Sequence, residues 1–328
     1  MNAMPNSPHT RIKPATLRPG DTVGIVAPAS NLKREALESG CEALRKLGYK
    51  PFYFDSIFNQ DLYFAGSVER RKRELEEMFM RDEVRAIVCA RGGYGANYLV
   101  EALDPQKIAT HPKIFVGYSD ITTLLTCFAD SARFVTFHGP MVAKDFAHAD
   151  GVDLVSWEAA LTGVSQWSLD LGPNCQPLAT GSAEGILYGG CLSMLVSSLG
   201  TKHEIRTPGT IFLIEDVAAK PYQIDRMLMH LKLAGKFDGV RGIVFGEMNE
   251  CTQASDQGYT LQEVVMRVVG DLGIPVAYGL RSGHVADRNI TLPIGVGARL
   301  DVSAKEVGLT ILESATTQAG ATAGTCQG

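Results

Sequence analysis

The strongest chemical signal in the chain is Phe115-Val116-Gly117-Tyr118-Ser119-Asp120-Ile121-Thr122. An apolar strand runs into a tight Gly-x-Ser turn, and apolar residues at helical spacing (Ile121, Leu124, Leu125, Phe128) follow at once. That passage has the form of a nucleophile elbow. It exposes a serine oxygen at the strand's C-terminal edge and offers the N–H groups of the helix start to a developing oxyanion. The full G-x-S-x-G pattern is not met, because Ile121 stands at the fifth position. The structural alternative is a Ser119 or Asp120 that only caps the helix. Upstream, Ala90-Arg91-Gly92-Gly93-Tyr94-Gly95 follows another apolar run. Glycines at the end of a parallel strand let the backbone approach a ligand and present N–H donors to it. The dinucleotide and phosphate-loop glycine patterns are both absent.

A serine nucleophile needs a base and a group to orient that base. Of seven histidines, His9 lies near the terminus and His111, His148 and His230 read as surface residues; His138, before Gly139-Pro140, could line the crevice, His203 lies in a polar stretch, and His284 follows Gly283 in a loop. Position alone leaves the choice open. Among carboxylates, Glu215-Asp216 ends the apolar run Thr210-Ile211-Phe212-Leu213-Ile214, where an acid could hold a histidine, pair with a cation or cap the helix that follows.

The elements around these residues alternate. Buried strands are expected at 22–27, 51–54, 85–90 and 113–117, with helices between them carrying Leu37, Cys41, Leu44 and Leu47, then Leu75, Met78 and Phe79. This predicts an α/β fold whose N-terminal domain, 11–150, is a flavodoxin- or Rossmann-like parallel sheet with helices on both faces. The pattern weakens over 151–180, which reads as a linker. A C-terminal α/β domain, 181–314, is expected to hold helices at 222–233 and 261–272. It ends in short strands at 289–292, 298–303 and 308–312, forming a partly closed, β-barrel-like sheet. The Ala/Thr/Gly-rich stretch 315–328 reads as a disordered tail.

Composition narrows the class. Against 36 Asp and Glu there are 31 Lys and Arg, a net charge of −5 that lacks the cationic footprint of a nucleic-acid binder. Seven scattered cysteines without a C-x-x-C pair argue against a disulfide framework or a structural zinc site. The polar N-terminus lacks a secretory core, and the apolar stretch 185–199 is broken and short, so a soluble cytoplasmic protein without a membrane partner is expected. Glycine stands out: 34 of 328 residues, above the usual ~7%. Much of the excess falls in the segments above.

Taken together these segments resemble one family, the LD-carboxypeptidases (muramoyltetrapeptide carboxypeptidases) of the serine peptidase class. The likeness runs from Leu17-Arg18-Pro19-Gly20-Asp21 through Arg91-Gly92-Gly93-Tyr94-Gly95, Gly117-Tyr118-Ser119-Asp120 and His138-Gly139-Pro140. It continues through Tyr188-Gly189-Gly190-Cys191-Leu192, Glu215-Asp216, Pro221-Tyr222-Gln223, Gly283-His284 and Leu292-Pro293-Ile294-Gly295. The resemblance implies a Ser-His-Glu triad of Ser119, His284 and Glu215, with His138 in a structural segment. It implies release of terminal D-alanine from a peptidoglycan tetrapeptide, no metal or cofactor, and a homodimer. Backbone donors from Asp120 and from Gly92 or Gly93 would form the oxyanion hole; Arg91, Tyr94 and Tyr118 are candidates for substrate contacts. Two segments depart from the family: Ala218-Ala219 where a second acid often follows the glutamate, and Cys191 where Asn is common. A microcin C self-immunity-like hydrolase of an aminoacyl-nucleotide analogue uses the same triad, and a non-catalytic sugar- or peptide-binding module is the rival outside enzymes.

Overall fold

Runs of apolar residues become parallel strands because both of their faces are covered. In the computed structural model, which describes residues 11–252 and 258–318, these are β1 (Thr22–Val26), β2 (Lys50–Phe52), β3 (Val84–Cys89), β4 (Ile114–Gly117) and β5 (Thr136–His138). They lie parallel in the order β5-β4-β3-β1-β2. Successive side chains alternate between faces: Ile25, Val88 and Val116 enter one apolar cluster, Val26, Ile87 and Phe115 the other. The helix Arg34–Lys46 closes the first face with Leu37, Cys41 and Leu44, and Val68–Met80 closes the second with Leu75, Met78 and Phe79.

The second sheet is built from β6 (Trp167–Ser168), β7 (Gln176–Ala179), β8 (Gly181–Cys191), β9 (Thr210–Glu215), β10 (Gly242–Gly246) and β11 (Val276–Leu280). After β12 (Leu292–Ile294), β13 (Gly297–Val302) and β14 (Val307–Ile311) complete it. Its order is β6-β14-β13-β8-β9-β10-β11-β7, with β8 to β11 parallel and the outer strands antiparallel. The end strands β6 and β7 do not pair, so the sheet stays open and the expected partial closure is absent among the described residues.

β12 does not join this sheet. It pairs antiparallel with β5 in the first one, Leu292 opposite His138. The chain between β11 and β12 must therefore cross from one sheet to the other, and His284 lies on that crossing. Three further expectations change. Residues 151–180 contain the helix Leu154–Leu161 and the two edge strands β6 and β7; edge strands this short have too few residues to show a period. The strand expected from 289 begins only at Leu292, and buried Asn289 makes loop contacts instead. At the C-terminal end, Ala315 and Thr316 are buried, and Thr317 exchanges backbone hydrogen bonds with Thr16 (2.9 Å) and Pro14 (2.8 Å). Residues 315–318 are thus packed; the rest of the expected tail, 319–328, lies outside the described residues.

Candidate active site

The elbow forms where β4 runs out. Gly117 is needed because a Cβ there would stand 2.8 Å from Ile121 Cγ2, blocking the tight return into the helix. Ser119 takes φ +63°, a left-handed conformation that costs a non-glycine residue about 1–2 kcal/mol. Gly92 lies against it: a Cβ at Gly92 would come within 2.9 Å of Ser119 Cβ and 3.1 Å of its Oγ. The two glycine-containing turns are tied by Asp120, whose buried carboxylate accepts a hydrogen bond from Ala96 N at 2.8 Å. Burial raises its pKa to about 6, opposed by hydrogen bonds from the Ala96 and Gly95 backbone and by the Arg71 charge. Gly93, at φ +106°, packs on Ser30, whose Oγ accepts from Tyr94 N at 3.1 Å.

The opposite wall comes from the second sheet. Glu215 ends β9 in a buried position, and its Oε2 accepts two hydrogen bonds from His284: from the backbone N at 3.0 Å and from Nδ1 at 2.7 Å. This approach demands Gly283, at φ +97°, where a Cβ would lie 2.5 Å from Glu215 Cδ. Because a carboxylate only accepts, Nδ1 carries a proton, and in the neutral imidazole this leaves the Nε2 lone pair facing Ser119 Oγ at 3.0 Å. Burial disfavours the Glu215 charge, but its two neighbouring imidazoles, His284 first and then His138, outweigh it and hold the carboxyl well below the usual range. Asp216 does a different job. Its Oδ2 accepts from Ser193 N at 2.9 Å at the start of the helix Leu192–Ser197.

Ser119 and His284 open on a pocket of about 550 Å³. Lys33, Arg91 and Lys144 line it with Gly92, Gly93 and Tyr118, and among the described residues no acidic one does. Buried Tyr118 sets its ring edge against His284, centroids 5.1 Å apart, while its hydroxyl donates to Asp145 at 3.3 Å. Exposed Arg91 bonds the Asn31 carbonyl at 3.1 Å. Tyr94 is not in the pocket wall; its ring packs at an angle against those of Tyr63, Phe64 and Tyr98. A larger recess of about 860 Å³, lined by Asn174, Glu247 and Tyr278 among others, holds none of these groups. Lys33, Lys144 and Asn289 carry no local sequence signal, yet Asn289 shapes the His284 loop, accepting from Gly283 N at 2.9 Å and donating to Asp145 at 3.2 Å. His203 lies apart, near Cys127 and Glu101. Ligating atoms of Cys191, Glu215 and His284 lie within 4.8 Å of one another. As a metal site the trio fits poorly: Glu215 and His284 already bond each other, and burial pushes the Cys191 thiol well up.

Comparison with known proteins now decides the family. The model of the LD-carboxypeptidase N-terminal domain matches residues 23–139, and that of the C-terminal domain matches 184–300. The chain belongs to the LD-carboxypeptidase family. LD-carboxypeptidases are serine-type peptidases, and this one is 38% identical to a probable murein peptide carboxypeptidase of Bacillus subtilis, over 89% of this chain and 92% of the relative. In structure it is similar to MccF in complex with glutamyl sulfamoyl guanosine (TM-score 0.86, 26% identity, 93% of this chain and 99% of that one). It is also similar to a muramoyltetrapeptide carboxypeptidase from Oxalobacter formigenes (TM-score 0.81, 29% identity, 90% of this chain and all of that one, 100%). Among the described residues no helix of this LD-carboxypeptidase is long and apolar enough to cross a membrane.

Proposed function

We propose that the chain hydrolyses the amide between an L-configured centre and the terminal D-alanine of a peptidoglycan tetrapeptide, with Ser119 as nucleophile, His284 as base and Glu215 as its orienter. The observation that carries this is the continuous hydrogen-bonded path Glu215–His284–Ser119 opening on a pocket whose charged lining, among the described residues, is Lys33, Arg91 and Lys144 beside His284. A carboxypeptidase must bind a terminal carboxylate, and Lys33, Arg91 and Lys144 supply the complementary charge. Ser119 Oγ attacks the carbonyl carbon while His284 Nε2 takes its proton; Glu215 keeps the imidazole in the Nδ1–H tautomer and stabilises the imidazolium. Backbone N–H groups of Asp120 and of Gly92 or Gly93 receive the oxyanion, each worth about 3 kcal/mol to the transition state. His284 then protonates the departing D-alanine, and water attacks the acyl-enzyme with the same base. The homodimer and the cytoplasmic location belong to this proposal on family resemblance, and sedimentation of the purified protein tests the first.

Incubation with a defined tetrapeptide and chiral analysis of the released alanine tests the reading. D-Alanine from the native protein and none from Ser119→Ala is the expected pair of results; equal release from both ends the assignment. The second reading, an aminoacyl-nucleotide analogue as substrate, draws on the likeness to MccF. It needs an aromatic platform for a base, and neither tryptophan lines the pocket: Trp157 is buried against Phe146 and Trp167 lies on edge strand β6. Parallel turnover of a muropeptide and an aminoacyl-sulfamoyl adenosine separates the two.

A further inference from the structure

A second imidazole touches Glu215. His138 ends β5 in the first sheet, is fully buried, and places Nε2 3.6 Å from Glu215 Oε1, the oxygen that His284 does not use. That distance is too long for a hydrogen bond and makes an ion pair only if the ring is protonated, and both atoms are buried without a hydrogen-bond partner. The other ring nitrogen settles the proton count. His138 Nδ1 lies 3.0 Å from Ser282 Oγ, and Ser282 Oγ lies 2.9 Å from the carbonyl oxygen of Ile290. A carbonyl only accepts, so the single hydroxyl proton of Ser282 goes to Ile290, and Ser282 receives a proton from His138 Nδ1. Were Nε2 then bare, a lone pair would face a carboxylate inside the protein, with two buried polar atoms left unsatisfied. A proton on Nε2 turns this repulsion into attraction.

We propose that His138 is a positioning residue: it carries both ring protons and clamps the second oxygen of Glu215 from the opposite sheet. The inference deepens the proposed hydrolysis and rests on it for its kinetic consequence. Each Glu215 oxygen then has its own cation-capable partner, Oε2 toward His284 and Oε1 toward His138. The carboxylate cannot rotate away from His284 as the imidazolium forms. Because β5 and β9 belong to different sheets, the clamp also ties the elbow side of the cleft to the base side.

Ring ¹⁵N spectra of histidine-labelled protein near neutral pH test the proton count without any substrate. The His138 signals, assigned by their loss in His138→Gln, are expected to show both nitrogens protonated; an unprotonated Nε2 overturns the proposal whatever the enzyme cleaves. Kinetics test the clamp. His138→Gln keeps an N–H donor near the Nε2 position, whereas His138→Asn keeps only the partner for Ser282. His138→Asn is expected to lower kcat about 10- to 100-fold at nearly constant KM, with His138→Gln recovering much of the loss. Equal kcat in the two variants, or a loss confined to KM, overturns the positioning role. If both variants fail to fold, the wild-type spectra still decide.

Discussion

The two walls of the cleft are built by different physics. On the Ser119 side the work is done by backbone shape: a left-handed serine at φ +63°, Gly92 where a Cβ would collide with it, and Gly117 where a Cβ would block the turn. On the Glu215 side it is done by charge and hydrogen bonds: a buried carboxylate, two imidazoles, and Asn289 holding the loop of His284. The first wall tolerates loss of a polar group but not an added atom. The second tolerates little change of charge. Gly283 and Gly246, both pressed on Glu215, share the constraint of the first wall.

Ser119→Gly should separate shape from chemistry most sharply. Turnover should fall by about 10⁶-fold as the nucleophile is lost. Stability should rise by about 1 kcal/mol, because glycine occupies the left-handed conformation without cost; a denaturant titration that shows a loss removes the strain from the comparison. Next in size, Glu215→Gln should cost about 10⁴ in kcat by upsetting the imidazole tautomer, read from steady-state D-alanine release. Gly92→Ala should cost about 10²-fold in kcat by displacing the serine side chain, with a fold intact by circular dichroism. Unchanged kcat there would show that the elbow yields.

The smallest effect concerns pH and stability. Asp120 has a folded-state pKa of about 6 against an ordinary 3.8, the rise coming from burial. A raised pKa means that the protonated folded form is favoured, so this contribution is complete below about 3.8 and is lost as pH rises through about 6. Asp120→Asn should remove that downward slope between the two values, measured as denaturation midpoints across pH. A slope unchanged in Asp120→Asn assigns it to another group.

Legibility followed the distance between partners. The elbow was readable because strand, glycine, serine and helix are contiguous, and the structure places Ser119 at the end of β4. The first sheet was readable because both its faces are buried, which leaves unbroken apolar runs in the sequence. His284 could not be chosen over His138 and His203 from its local pattern; only the family resemblance selected it. The reason is β12, whose pairing with β5 forces the His284 loop across the cleft. Glu215 and Asp216 are neighbours whose side chains alternate, and the register of β9 alone sends one to the imidazole and the other to a helix N-terminus. The cations Lys33 and Lys144 gave no signal, since a lysine lines a pocket only when distant segments enclose one. Tyr94, next to the glycine turn, was expected at the substrate and lies in an aromatic cluster outside the pocket wall.

By itself, then, the sequence determined the alternating α/β architecture and the tight turn of Gly117 and Ser119 between a strand and a helix. These are local matters of apolar period and of φ and ψ, which adjacent residues decide. Tertiary structure decided which imidazole meets the serine, which oxygen of Glu215 each histidine faces, and which charges surround the pocket. Proton transfer and ion pairing depend on separations of about 3 Å between groups, and in this chain those groups lie far apart in sequence, on two sheets that β12 helps to link.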